Sequence, residues 1–256
     1  MFKKIRIAIL LFVLLFVAMD TWLTRAYSTD WQDSLYIGVY PINADGSQAA
    51  EAYLGRLRTE DFEGVETFIA REAKRYGKTL ERPVRVSLGQ PVLEQPPSLG
   101  DNPNVLRIMW WSLRMRIWAG NVAKDQERFP PDVRIFVRYH SPDSYFPLEN
   151  SVGVEKGMFG IVNAYASRRL AAQNNVIVAH EFLHTLGASD KYEPGSGQPL
   201  GPDGLAEPDR KPLYPQQYAE IMGGRIALSA TDAVIPKSLR YAVIGPQTAA
   251  EIRLAD

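Results

Sequence analysis

The chain contains no cysteine. Disulfides, thiolate metal sites and thiol nucleophiles are excluded together, and redox arguments leave the compartment open. Histidine is nearly as scarce, with 3 in 256 residues, so imidazole chemistry can draw only on His140, His180 and His184. An excess of charge of either sign is also missing. Lys+Arg and Asp+Glu number 29 each, which gives a polyanion such as nucleic acid no electrostatic reason to bind. There is no internal repeat. What remains is ordinary globular composition, 46% hydrophobic and 23% charged, in a length that suits one sizeable domain or one domain cleft into two lobes.

The N-terminus supplies what cysteine cannot. Lys3, Lys4 and Arg6 precede an apolar run from Ile7 to Met19. Its length is that of a signal-peptide core and is short for a membrane span. Asp20 interrupts the run, although Trp22 and Leu23 extend it with an interfacial tryptophan. A small-residue cleavage site is faint, as Thr24-Arg25-Ala26. Two readings stand for residues 1–27, an uncleaved single-pass membrane anchor or a removed signal peptide. Both put the body of the chain, 28–256, outside the cytoplasm, anchored at the membrane or secreted.

The rest reads as an α/β (α+β) domain. Leu35–Tyr40 is a β-rich run closed by Pro41 and the turn-like Asn43-Ala44-Asp45-Gly46. Residues 48–76 carry apolar positions at helical spacing and read as one helix. Val84–Leu88 is a second strand, ahead of a Pro-rich stretch at 90–97. A helix over 104–120 is expected to pack into the core with its arginines outward. Val133–Tyr139 alternates as a third strand, and two short strands follow at Val152–Val154 and Phe159–Tyr165, interrupted by Gly157 and Gly160. Ser167 reads as the N-cap of a helix from Arg168 to Leu186, stopped by Gly187. Residues 193–213 are rich in Pro, Gly and Asp and read as an irregular loop. A last helix begins near Pro246, with Ala249, Ile252 and Leu254 inward.

The chemistry lies at the end of the long helix, in His-Glu-Phe-Leu-His-Thr-Leu-Gly-Ala-Ser-Asp from His180. His180 and His184 are four apart, so both imidazoles leave one helix face about one turn apart and can grip one cation. Glu181 is rotated from that axis, so its carboxylate is directed at water and not at the metal. A third protein ligand is needed if zinc is to keep one position open. Gly187 lets the chain leave the helix in a sharp turn, and Asp190, three residues on, swings back beneath the histidines. His140 stands far upstream, after a strand. No calcium loop is present, since Gly201-Pro202-Asp203-Gly204 has too few spaced acidic groups.

The stretch His180 to Asp190 resembles the extended zinc-binding motif of the metzincin metallopeptidases, in the variant where aspartate replaces the third histidine. Glu220-Ile221-Met222-Gly223-Gly224 is similar to that family's Met-turn, with Met222 as the apolar floor under the metal. The resemblance in motif covers about 175–224, and in layout about 34–256. It implies a two-lobed domain with a twisted mixed sheet: an upper lobe of about 34–187 ending in the active-site helix, and an irregular lower lobe of about 188–256 ending in a helix. It also implies that substrate pairs with an edge strand between about Ser151 and Tyr165. Two features depart from the family. Gly224 stands where some metzincins carry a tyrosine, leaving Tyr192, Tyr214, Tyr218 and Arg225 as alternative transition-state donors. The helix at 104–120 looks like an insertion.

These residues lead to an expected function: a zinc-dependent endopeptidase, with one Zn2+ ion, a polypeptide substrate, and Glu181 as general base. Three alternatives remain at this level. One is a zinc class whose third ligand is a glutamate, Glu207 or Glu220. The others are a latent or non-catalytic membrane-anchored zinc-binding domain, and a zinc hydrolase of a non-peptide amide.

Overall fold

Four apolar, β-branched runs lie side by side in a computed structural model that describes residues 29–98, 104–122, 124, 130–143, 151–154 and 158–255. Strands β1 (Leu35–Asn43), β2 (Val84–Leu88), β3 (Val133–His140) and β5 (Phe159–Tyr165) are mutually parallel, and the short β4 (Val152–Val154) is antiparallel to β5. The order β2-β1-β3-β5-β4 leaves β4 at an edge. Parallel neighbours require crossovers, and helices lie in the connections from β1 to β2 and from β2 to β3. The fold is mixed α/β, as expected. The N-terminal segment 1–27 and Gly157 lie outside the described residues. No helix among the described residues is long and apolar enough to cross a membrane.

Strand alternation sorts side chains to two faces. Ile37, Val39, Ile135, Val137 and Val162 are completely buried on one face, against helices α2 (Glu63–Arg75) and α4 (Ala171–Thr185). Tyr40, Ile42, Phe136 and Phe159 point the other way and are covered by helix α3 (Val105–Val122) through Met115, Trp118 and Ala119. Trp118 and Phe136 sit 4.6 Å apart between ring centroids. The core expectation for α3 therefore holds for one side only. Met109, Trp110, Leu113 and Ile117 are exposed, so its outward side is apolar as well as basic.

Three element expectations are corrected. Pro41 does not end the first strand, which runs on to Asn43. Its carbonyl accepts from Val92 on the side where β2 has already stopped, so the missing N–H interrupts no ladder there. The helix expected over 48–76 is broken into α1 (Gln48–Leu54), a 3-10 turn at Thr59–Phe62, and α2. The Asp61 carboxylate accepts from Arg58 N–H at 2.8 Å and starts the chain afresh. Ser167 makes no side-chain cap; a 3-10 turn at Arg168–Leu170 leads into α4 instead.

Beyond α4 the chain has little regular structure. Two-residue strands pair as β6 (Ala219–Glu220) with β9 (Ala242–Val243) and β7 (Ile226–Ala227) with β8 (Ala233–Val234), and helix α5 (Pro246–Glu251) follows with proline at its start. Ala249, Ile252 and Leu254 are buried, as their spacing predicts. Polar groups of α2 and of Tyr76, the residue after it, hold this region. Arg71 donates to the Ala242 carbonyl at 2.5 Å, Tyr76 to that of Ile244 at 2.8 Å, and the buried Glu72 accepts from Ile244 N–H.

Candidate metal centre

The site is built at the C-terminal end of α4. Helical geometry brings His180 and His184 to one face, with ring centroids 4.7 Å apart. The helix then stops at Gly187, whose φ of 99° lies in the left-handed region where a Cβ is strained. That turn returns the chain, and Asp190 Oδ1 comes to rest 3.2 Å from His180 Nε2 and 3.1 Å from His184 Nε2. The two Nε2 atoms are 3.1 Å apart. Among the described residues, these three form the cluster able to hold a metal ion.

Hydrogen bonding fixes which nitrogens face inward. His180 Nδ1 donates to the Ile221 carbonyl at 2.9 Å, and His184 Nδ1 to the Ala188 carbonyl at 2.8 Å. A carbonyl can only accept, so each Nδ1 carries the proton and each Nε2 presents a lone pair. Two lone pairs and a carboxylate oxygen thus converge on one point, an arrangement that calls for a cation. The edges are near the ~3.3 Å expected between donors held tetrahedrally at ~2.0–2.1 Å. The set fits a metal ion.

Electrostatics agree. Burial by itself would lower the His180 pKa, but its contact with Asp190 and the charge of Glu181 hold it above the ordinary histidine value. Partial burial would raise Asp190, yet both imidazoles outweigh this and hold it well below the usual carboxylate range. The site attracts positive charge.

Glu181 is 4% exposed. Its Oε2 is buried without a hydrogen-bond partner among the described residues. Burial pushes its carboxyl up, with His180 and His184 pulling back. Gly153 of β4 lies directly against it: a Cβ there would overlap the His184 Cβ and stand 2.6 Å from the Glu181 carbonyl. Gly153 pairs with Gly160 on β5, whose added Cβ would be 3.5 Å from Glu181 Cβ. This glycine pair lets the helix approach the sheet edge. Sequence reading marked Gly160 only as an interruption and missed Gly153, because the signal is a cross-strand pairing that spacing alone does not reveal.

Met222 is completely buried. Its carbonyl accepts from Lys191 N–H at 2.9 Å, while Ile221 receives His180, so this turn touches both arms of the centre. Glu220 holds the turn. Its Oε2 accepts from Met222 and Gly223 N–H at 2.7 and 2.8 Å, and its Oε1 from Gly245 N–H and the Thr248 hydroxyl at 2.9 and 2.8 Å. A carboxylate so committed is not a ligand. Glu207 is likewise occupied by Arg210 and the Gln217 amide, and His140 contacts Asn163, so none of these joins the cluster. A further device escaped sequence reading. Glu251 of α5 accepts from Ser189 N–H at 3.0 Å, from Ser189 Oγ at 2.7 Å and from Lys191 Nζ at 2.8 Å, the two residues that flank Asp190.

Of the tyrosines, Tyr192 is the one beside the cluster, 6.2 Å from His180 between ring centroids. Burial and the charges of Asp190 and Glu181 raise its pKa. Its ring would lie 3.8 Å from a Cβ at position 224, so it takes the space beside Gly224. Arg225 packs on Gly197, and its charge reaches Tyr192. Tyr218 is exposed on the segment before β6.

Comparison with protein-family models finds no match to this chain, and comparison with curated proteins finds none either.

Proposed function

We propose that this chain is a zinc-dependent metalloendopeptidase of the metzincin type, its upper lobe ending with α4 and its lower lobe spanning about 188–256. The observation that carries the reading is the juxtaposition of the His180–His184–Asp190 cluster with the buried Glu181 carboxylate, which the Gly153 backbone supports and whose Oε2 has no hydrogen-bond partner among the described residues. A purely structural site closes all four positions and has no use for such a group. Zinc is favoured by two imidazoles and one carboxylate as the donor set, and when bound it supplies a Lewis acid that acidifies water and polarises a carbonyl.

The chain's own residues supply the rest. Glu181 takes the proton from the attacking water at its free oxygen and passes it to the leaving amine. Burial, which pushes its carboxyl up, favours a group that must both accept and release that proton. Tyr192 is the donor best placed to meet the developing oxyanion, with Arg225 behind it. Among the described residues β4 is an edge strand of the sheet, and the face of its Gly153 packs on the helix beside Glu181 and His184, which suits an extended polypeptide adding along that edge. The basic and apolar start of the chain supports an exported enzyme, held at a membrane or released by cleavage.

The test is metal content together with cleavage of an unfolded protein. Full-length protein is expected to carry one zinc and to lose cleavage when chelated. Glu181→Gln should keep zinc and lose turnover, and Asp190→Ala should lose zinc. Turnover retained in Glu181→Gln would sink the general-base role. A protein without zinc would sink the whole reading.

A further inference from the structure

Helix α3 has two opposite apolar stripes. The inner one seats Met115 and Trp118 on Phe136 and Tyr40. At 3.6 residues per turn, Met109, Leu113 and Ile117 recur every four residues on the side away from Met115, with Trp110 beside them. These four are 63%, 48%, 56% and 62% exposed. Arg107 and Arg114 border this outer stripe on one side and Arg116 on the other, all exposed. The helix, VLRIMWWSLRMRIWAGNV, contains no acidic residue. A helix that only covered the sheet would turn polar, mixed-charge residues to water.

We propose that the outer face of α3 is a membrane-contact surface that lies in the plane of an anionic lipid interface. The apolar stripe sinks to the acyl boundary, and the arginines on both flanks reach phosphate headgroups while their stems stay with the apolar face. Trp110 has the amphipathic ring that settles at such a boundary. The stripe from Met109 to Ile117 is about 12 Å long, so the helix rests on the bilayer and does not cross it. A protein groove also takes anchors at this spacing. Lipid is favoured because the charged side chains of the helix itself are all basic, with Glu94 of the preceding segment beside Arg114 on one flank, and because the chain's own start, Lys3, Lys4 and Arg6 before Ile7–Met19, has the composition of a membrane-inserting segment. The proposal needs nothing from the metal centre.

The absence of cysteine allows single-site labels without background. Full-length Leu113→Cys and Met109→Cys proteins would be labelled with an environment-sensitive fluorophore and reconstituted into phosphatidylcholine vesicles with or without phosphatidylglycerol. A label at the exposed Glu60, carried by Glu60→Cys, serves as control. The expected result is a blue shift and quenching by doxyl-labelled lipid at 109 and 113, stronger with phosphatidylglycerol and absent at 60. Replacing one arginine by glutamine should weaken the anionic response about fivefold. Labels at 109 and 113 that stay open to an aqueous quencher on anionic vesicles overturn the proposal. So does burial of the labels without lipid, which would assign the face to a protein partner. Equal responses on neutral and anionic vesicles overturn the headgroup role of the arginines.

Discussion

Lys191 and Glu251 form a nearly buried ion pair, 2.8 Å between Nζ and Oε2, that joins the Asp190 loop to the last helix. Ser189 binds the same carboxylate through both its amide and its hydroxyl. Asp190 is thereby bracketed on both sides, and its own carboxylate is left to face the two histidines.

Removing Glu251 should therefore damage both stability and metal binding. Glu251→Ala leaves Lys191, 5% exposed, buried with its charge uncompensated, at an expected cost of about 3–5 kcal/mol. Zinc affinity should fall at least about tenfold, the usual penalty for a lost outer partner. Urea unfolding and competition with a zinc-binding dye read the two effects separately. Unchanged zinc affinity in a folded variant would show that Glu251 holds the fold alone.

The same pair sets an acid dependence. Burial raises the Glu251 carboxyl, but Lys191 and Ser189 outweigh it and bring the folded value below the ordinary one. A depressed carboxylate stabilises the fold fully above its unfolded pKa, and that contribution is lost as pH falls through the folded value. Wild type should thus lose stability as pH falls below the ordinary glutamate value of 4.5 and on through the lower folded one. Glu251→Gln should show a shallower acid limb in urea midpoints taken across that range.

Gly153 and Gly160 face each other across β4 and β5 but should respond differently to alanine. At Gly153 the new Cβ meets helix backbone and His184, which cannot yield without moving β4. An overpacking cost of about 1–3 kcal/mol is expected, with loss of the proposed peptidase turnover. At Gly160 the nearest atom is Ile135 Cδ1 at 2.9 Å, the far end of a flexible side chain, and the cost should stay below about 1 kcal/mol. Thermal unfolding of the two variants compares them directly.

Glu220 and Met222 should separate in the opposite sense from what their sequence prominence suggests. Glu220→Gln puts an amide NH2 among four donors, all buried, and should cost at least about 2 kcal/mol. Met222→Leu keeps volume and apolar character and should cost less than about 1.5 kcal/mol. Urea unfolding of both variants checks the ranking.

The residues that were legible in the sequence share one property: their signal is local. His180, His184 and Asp190 are spaced by helix pitch and one glycine turn, and the β-branched runs of β2, β3 and β5 carry their own alternation. The glutamates that bind the C-terminal segment were not legible, since Glu72 meets Ile244 across 172 positions and Glu251 meets Ser189 across 62. The single helix expected over 48–76 failed for a local reason that periodicity does not weigh: Asp61 restarts the chain by capping Arg58. The exposed side of α3 was misjudged because an apolar helix has no sequence mark for which of its apolar sides meets the sheet.

Trp31 is buried, and its indole N–H donates to the Ile252 carbonyl at 2.9 Å across 221 positions. The strand-forming body of the chain is thus entered through the same seam at which α5 ends, one residue beyond Glu251. The segment ahead of β1 and the residue next to the carboxylate that brackets Asp190 are therefore held by one hydrogen bond, so the two ends of the described body meet behind the candidate metal centre.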